Sequence, residues 1–180
     1  MLDVSRVARV WVVVWLALGS VIGLGGCSSG AEITVSSSKL ALENQRVAVQ
    51  TGEFSSYIYS AAPDAAGKSK QSAMFSIYLS DGPIAKNEPA EGKTLVVFAI
   101  AGAEGSQSDE RPATGSYEAE PDPFKKKGSF NKASRLEIKH GGKTADASEF
   151  ESGKVEITKS DANGIEGTVD LKKGDLAVKG

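Results

Sequence analysis

Along most of the chain, apolar and polar residues alternate with a period of two, in short runs bounded by glycine, proline, aspartate, asparagine and serine. Phe75, Ile77 and Leu79 alternate with Ser76, Tyr78 and Ser80, and Leu136 and Ile138 alternate with Arg135, Glu137 and Lys139. Successive side chains on a strand point to opposite faces, so this is the pattern of strands with one face in a core. Leu95 to Ala101 is apolar in both phases and predicts a central strand covered on both sides. Val47 to Val49 and Phe54 to Tyr59 supply further strand candidates. Only Lys39 to Gln45 has the make-up of a helical turn or two.

The C-terminal stretch KVEITKSDANGIEGTVDL, residues 154 to 171, carries the most specific fold signal. Val155 and Ile157 share one face; after the turn Ile165, Gly167, Val169 and Leu171 take up the same phase, with Glu166, Thr168 and Asp170 outside. Asn163-Gly164 is a hairpin turn pair because both residues tolerate positive φ. Leu176 and Val178 extend the pattern beyond the Lys173-Gly174-Asp175 turn. Eight to ten such strands joined by hairpin-length connections predict one all-β domain, an antiparallel β-barrel or β-sandwich. A parallel α/β architecture does not fit. Two longer polar stretches, Ala61 to Gln71 and Gly102 to Pro112, predict mobile loops.

The first 26 residues break this pattern. Arg6 and Arg9 give a basic start, Trp11 to Leu18 is an almost unbroken apolar run, and small residues follow to Gly26. That three-part layout is the layout of a secretory signal peptide. A retained transmembrane anchor is the competing reading, but Val10 to Leu24 spans only 15 residues and is interrupted by Gly19, Ser20 and Gly23. A spanning helix needs ~20 mainly apolar residues.

The junction Leu24-Gly25-Gly26-Cys27 resembles the lipobox of bacterial lipoproteins, in which a leucine stands three positions before an obligatory cysteine. The resemblance implies cleavage before Cys27, attachment of diacylglycerol to its thiol and acylation, palmitate included, of its new amine. A single acyl chain holds a protein only marginally at a membrane, at ~0.8 kcal/mol per buried CH2, so two or more make a stable anchor. Ser28 stands where lipoproteins retained in the inner membrane carry Asp, which implies the outer membrane of a bacterial cell envelope. The alternative is a secreted protein with a free thiol. The C-terminal hairpin resembles that of small β-rich bacterial lipoproteins, with a Gly-Thr-Val run beside its turn. The expected organisation is therefore a removed signal peptide over 1–26, a lipidated N-terminus and flexible Ser-rich tether over 27–38, and the β domain over 39–180.

Composition changes this picture only by exclusion. Without residues 1–26 the chain keeps 154 residues, 19 of them basic and 22 acidic, a net charge near −3. A nucleic-acid surface needs a basic excess; Lys125, Lys126 and Lys127 form one dense run, flanked by Pro123 and Gly128 as in a solvated loop. Cys27 is the only cysteine, so the domain has no disulfide and its stability rests on its core.

Candidate chemistry is sparse. Gly92-Lys93-Thr94 and Gly142-Lys143-Thr144 mimic the end of a phosphate-binding loop, but Asn87 and Glu137 stand where the motif needs its first glycine. His140 is the only histidine, which excludes a histidine-rich zinc site; at a strand end beside Gly141-Gly142 it reads as exposed. Asp161, Asn163 and Glu166 lack the spacing of a calcium loop, and the pairs Glu118/Glu120 and Glu149/Glu151 read as solvated faces instead of glycosidase carboxylates. No metal or cofactor is implied. Tyr57, Tyr59, Tyr78 and Phe98 are either core or the lining of a small-molecule cavity inside a barrel, as in lipocalin-type binders. Three readings follow, in order: a lipid-anchored, non-enzymatic module contacting an envelope protein or surface component; a lipid-anchored binder of a small apolar ligand; a hydrolase.

Overall fold

The computed structural model describes residues 10–12, 31–60, 69–119, 130, 132–147, 150–162 and 164–180. The chain is all-β, as its alternation predicts. The strands are β1 (Val10–Val12), β2 (Glu32–Ser37), β3 (Leu42–Ala48), β4 (Thr51–Ser60), β5 (Gln71–Ser80), β6 (Ile84–Ala85), β7 (Glu88–Pro89), β8 (Thr94–Ala101), β9 (Gly115–Ala119), β10 (Lys132–His140), β11 (Lys143–Ala147), β12 (Ser152–Asp161), β13 (Gly164–Lys173) and β14 (Leu176–Lys179). Twelve form one sheet in the order β1-β4-β5-β8-β10-β9-β12-β13-β14-β2-β3, with β11 beside β10; β6 and β7 form a separate small hairpin.

The sheet is mixed where the sequence predicts pure antiparallel pairing. Lys132 and Ala133 of β10 run parallel to Glu118 and Ala119 of β9, while the other pairs are antiparallel. The remaining length of that edge of β10, Leu136 to His140, is taken by its hairpin partner β11. Among the described residues no ladder joins the two ends of the sheet, so the sheet is not closed. Its inward residues nevertheless form one core: Phe54, Phe75, Ile77, Val96, Phe98, Ile100, Leu136, Ile138, Val155, Ile157, Val169, Leu171, Leu176, Val178, Ile33, Val35 and Val47 are all buried in it. No described core residue precedes Ile33. Burial of this kind, at ~25 cal/mol per Å² of apolar surface, is the main favourable term for a disulfide-free domain.

Three local expectations change. Lys39 to Gln45 is a single 3-10 turn over Ser38–Leu40 followed at once by β3, because Leu42 pairs with Ser37 and Val47 with Ile33 in a hairpin. β2 begins inside the span assigned to the tether, since Ile33 and Val35 alternate inward between Thr34 and Ser36 and are buried. The stretch from Gly102 to Pro112 is bonded to the sheet end: the Gly102 amide donates to Ala73 O at 2.8 Å, the Gly105 amide to Gln71 O at 2.7 Å, and the Ala73 amide to Ser106 Oγ at 2.9 Å. Residues 61–68 lie outside the described residues.

The C-terminal hairpin forms in the expected phase. Val155 pairs with Val169, and Val155, Ile157, Val169 and Leu171 are buried while Ile165 is half-buried. Asn163 lies outside the described residues; its neighbour Gly164 pairs with Asp161 across the turn. Thr158 is the extra residue of a bulge between Ile157 and Lys159. Such an irregularity bends the strand and increases its twist.

Candidate functional site: an apolar cavity at an open edge

Three adjacent strands set one wall of the site. Phe54 of β4 lies opposite Ile77 of β5, which lies opposite Phe98 of β8, so the three side chains form a row on the inner face. The facing wall is the hairpin of β12 and β13, through Val155, Ile157, Ile165 and Val169. Between the walls lies a cavity of about 330 Å³, closed further by Ile33, Val49 and Leu79. Small-molecule sites run from about 300 to 1,000 Å³, so this volume stands at their lower end.

Backbone pairing explains why the space is not filled. In β13, Asp170 to Lys173 pair with β14, and the amides and carbonyls of Val169 and Gly180 exchange one further pair of bonds at 2.8 and 2.9 Å. Ile165 to Thr168 have β12 on one side and, among the described residues, no hydrogen-bonded strand on the other, although β1 comes near β13. On the opposite side, Gly52 to Phe54 of β4 pair outward only with Val10–Val12. Gly52, Gly167 and Gly180 line the gap and contribute no side chain to it. At Gly167 a β-carbon would stand 2.0 Å from the carbonyl oxygen of Glu156, so the close strand approach keeps that position bare.

The charge distribution is one-sided. Glu32, Glu53 and Glu166 border the cavity at outward-phase positions, beside inward Ile33, Phe54 and Ile165, and no Lys, Arg or His borders it among the described residues. Lys159 pairs with Glu166 at 2.7 Å and Arg46 stands 3.7 Å from Glu32, both exposed and of little energetic weight. Arg111 is near without being part of the wall: its guanidinium carbon lies 5.2 Å from the centre of the Phe54 ring, in the range of a cation–π contact. Its Nη1 is buried with no hydrogen-bond partner among the described residues.

The aromatic residues singled out in the sequence do not share one surface. Phe98 is buried and lines the cavity. Tyr57, Tyr59 and Tyr78 take the opposite phase: with Phe54 inward, residues 57 and 59 point outward, and Tyr78 faces Glu53 and Val97 across its neighbours. Tyr57 is 44% exposed. Burial of the remainder pushes its hydroxyl pKa up, against the lowering effect of Arg135. Tyr59 packs on a second, smaller cluster of Met74, Ala99 and Ala101 on the outer face. Cys27 lies outside the described residues.

His140 is half-buried at the end of β10, and its Nδ1 is 3.0 Å from Thr94 Oγ1. Its strand neighbours are Thr94 and Lys143, and no carboxylate bonds its other nitrogen among the described residues. Lys159 stands between Asp161 at 3.9 Å and Glu166 at 2.7 Å, so a lysine occupies the place a cation would take between them. The Gly92-Lys93-Thr94 segment is a turn whose Thr94 amide donates to Asp81 Oδ1 at 2.7 Å, and Gly141-Gly142 closes the β10–β11 hairpin. Glu120, Glu149 and Lys125 to Lys127 lie outside the described residues. No group of three or more metal-ligating side chains occurs among those described.

Phe54, Ile77, Ile165 and Val169 are the site residues that alternation alone assigns only to a core. The signal that separates them is Gly167, an inward-phase position without a side chain. No protein-family model, no curated protein and no solved structure matches the chain.

Proposed function

We propose that this protein is a lipid-anchored, non-enzymatic module of the bacterial envelope that binds a small apolar ligand in the cavity between β4 and β13. The cavity carries this reading. A void lined by aliphatic and aromatic side chains stays dry and gains dispersion contacts when an apolar molecule enters. Its one-sided opening fits an entry path along the edge of β4.

The barrel reading of the fold belongs to the same proposal. The Val49 amide donates to Ala31 O at 2.8 Å and the next amide, of Gln50, donates to Ser80 O at 2.8 Å. The chain thus passes within one residue from the ladder of β2 to the ladder of β5, which is how corner strands turn one sheet over on itself. On this reading the sheet is a barrel left open along the gap between β4 and β13.

Acylation of Cys27 after removal of residues 1–26 would place the mouth close to a membrane. Ala31 lines the cavity and stands four residues after Cys27, a reach of at most about 14 Å for extended chain. Removal of the leader also takes away Val10–Val12, the segment paired to β4 at the mouth. Ser28 supports the outer membrane as the location. A second reading, an interaction module, rests on one observation: Tyr57 and Ile58 are exposed on the edge strand β4, at 44% and 38%.

Binding is tested with N-phenyl-1-naphthylamine, an uncharged probe that fluoresces in apolar surroundings, added to the mature chain from Ser28. Saturable uptake of one probe per chain supports the ligand-binding reading; no uptake refutes it and leaves the interaction module. Anchoring is tested by Cys27→Ala, expected to move the protein out of the membrane fraction or to leave an uncleaved precursor. Normal fractionation of a processed variant contradicts acylation at this residue.

A further inference from the structure

The walls of the cavity also constrain the polar end of what it holds; this step rests on the ligand-binding reading above. Its volume corresponds to roughly eleven groups of the ~30 Å³ that a water molecule occupies, enough for a short aliphatic chain. The deep wall formed by Phe54, Ile77, Phe98 and Ile157 offers hydrocarbon only. Among the described residues nothing cationic lines the space. Arg111, half-buried as a residue but with its Nη1 buried, lies over the Phe54 ring and is not among the lining residues. Phe54 therefore touches both the guanidinium and the cavity.

An ionised carboxylate carried into such a space loses its hydration without gaining a partner, which is costly unless it is paired. Left at the mouth, it finds the nearest cations, Arg46 and Lys159, already paired with Glu32 and Glu166. An alcohol or an ester has neither difficulty, since its oxygen can stay at the open edge and bond water or the edge of β13 that, among the described residues, no strand pairs with. We infer that the cavity selects an aliphatic chain ending in an uncharged polar group, an alcohol or an ester, over the corresponding carboxylate, and that Phe54 sets this choice by holding Arg111 out of the lining.

The test is displacement of N-phenyl-1-naphthylamine from the mature chain at pH 8 by 1-dodecanol, glyceryl monolaurate and dodecanoate. The two uncharged competitors are expected to act at concentrations about tenfold or more below dodecanoate, the scale at which a site rejects a group it cannot pair. In Phe54→Ala the ring no longer stands over Arg111, and dodecanoate should gain on dodecanol until the gap closes. Adding Arg111→Met to that variant should reopen it. Equal or tighter binding of dodecanoate by the wild type overturns the inference while leaving the ligand-binding reading in place, because the probe is still bound and displaced. Loss of probe uptake in the wild type refutes both. Should Phe54→Ala fail to fold, Phe54→Leu removes the ring at nearly the same bulk, and an unchanged preference in that variant excludes the role given to Phe54.

Discussion

β8 and the first half of β13 are both strand segments with apolar inward residues, yet one is solid and the other is hollow. Leu95, Val96 and Ile100 of β8 are 0% exposed, with β5 paired on one edge and β10 on the other. Among the described residues Ile165 to Thr168 of β13 are paired on one edge only, and the cavity lies beside them. Seven of the eight residues of β8 are apolar, whereas Ile165 is the one large apolar residue from Gly164 to Thr168. The two also differ in whether a neighbouring strand brings side chains to fill the interior, and at the gap the neighbours are Gly52, Gly167 and Gly180. Packing at β8 therefore supports stability, and imperfect packing at β13 leaves room for recognition.

Substitutions in the two regions should separate these roles. The largest effect is expected in the solid part: Leu136→Ala removes a side chain that is 0% exposed and paired opposite Phe98, and should destabilise the domain by about 2–5 kcal/mol in urea unfolding. Its probe affinity should stay close to that of the wild type. A loss below about 1 kcal/mol would show that the core beside β8 is loosely packed. Next comes the hollow part. Ile165→Phe adds bulk where space exists, so stability should change by less than about 1 kcal/mol while probe affinity falls about tenfold. Unchanged affinity with unchanged stability would place the ligand elsewhere.

The smallest effect concerns a junction outside both regions. Asp175, in the turn between β13 and β14, accepts a hydrogen bond from the Ser38 amide at 2.6 Å. The Ser38 hydroxyl, as the larger influence, and this amide both favour the ionised form and hold the carboxyl below its ordinary value of 3.8. A folded-state pKa below the unfolded one contributes stability that is present above the unfolded value and lost as pH falls through the folded value. The margin of wild type over Asp175→Asn should thus be constant from neutral pH down to about pH 5 and shrink below 3.8. A margin independent of pH in acid would mean that the contacts of Ser38 with Asp175 do not depend on the charge.

Alternation made most strands legible because each buries one face: Phe75, Ile77, Leu136, Ile138, Leu176 and Val178 are all inward where the period-2 phase puts them. Serine-rich composition concealed β2, although Ile33 and Val35 keep the phase. In β4 the phase misled in the other direction. Ile58 and the tyrosines compete for the interior, and only Phe54, fixed by its row with Ile77 and Phe98, settles which set points outward. The cavity was not legible, because it depends on which edges remain unpaired once distant strands meet. Arg111 was equally hidden, since its place over Phe54 follows from the path of the loop after Gly102 and not from any local spacing.

The central claim, that the inward residues at the gap line a binding site while those at β8 and β10 are closed core, is tested most directly by methyl NMR of the mature chain titrated with 1-dodecanol. Ile33, Ile77, Leu79, Ile157, Ile165 and Val169 line the cavity, and their methyl signals should shift together and saturate. Ile100, Leu136 and Ile138, which do not line it, should stay in place. Shifts confined to the exposed Tyr57 and Ile58 region, or spread evenly over both groups of methyls, would contradict the account.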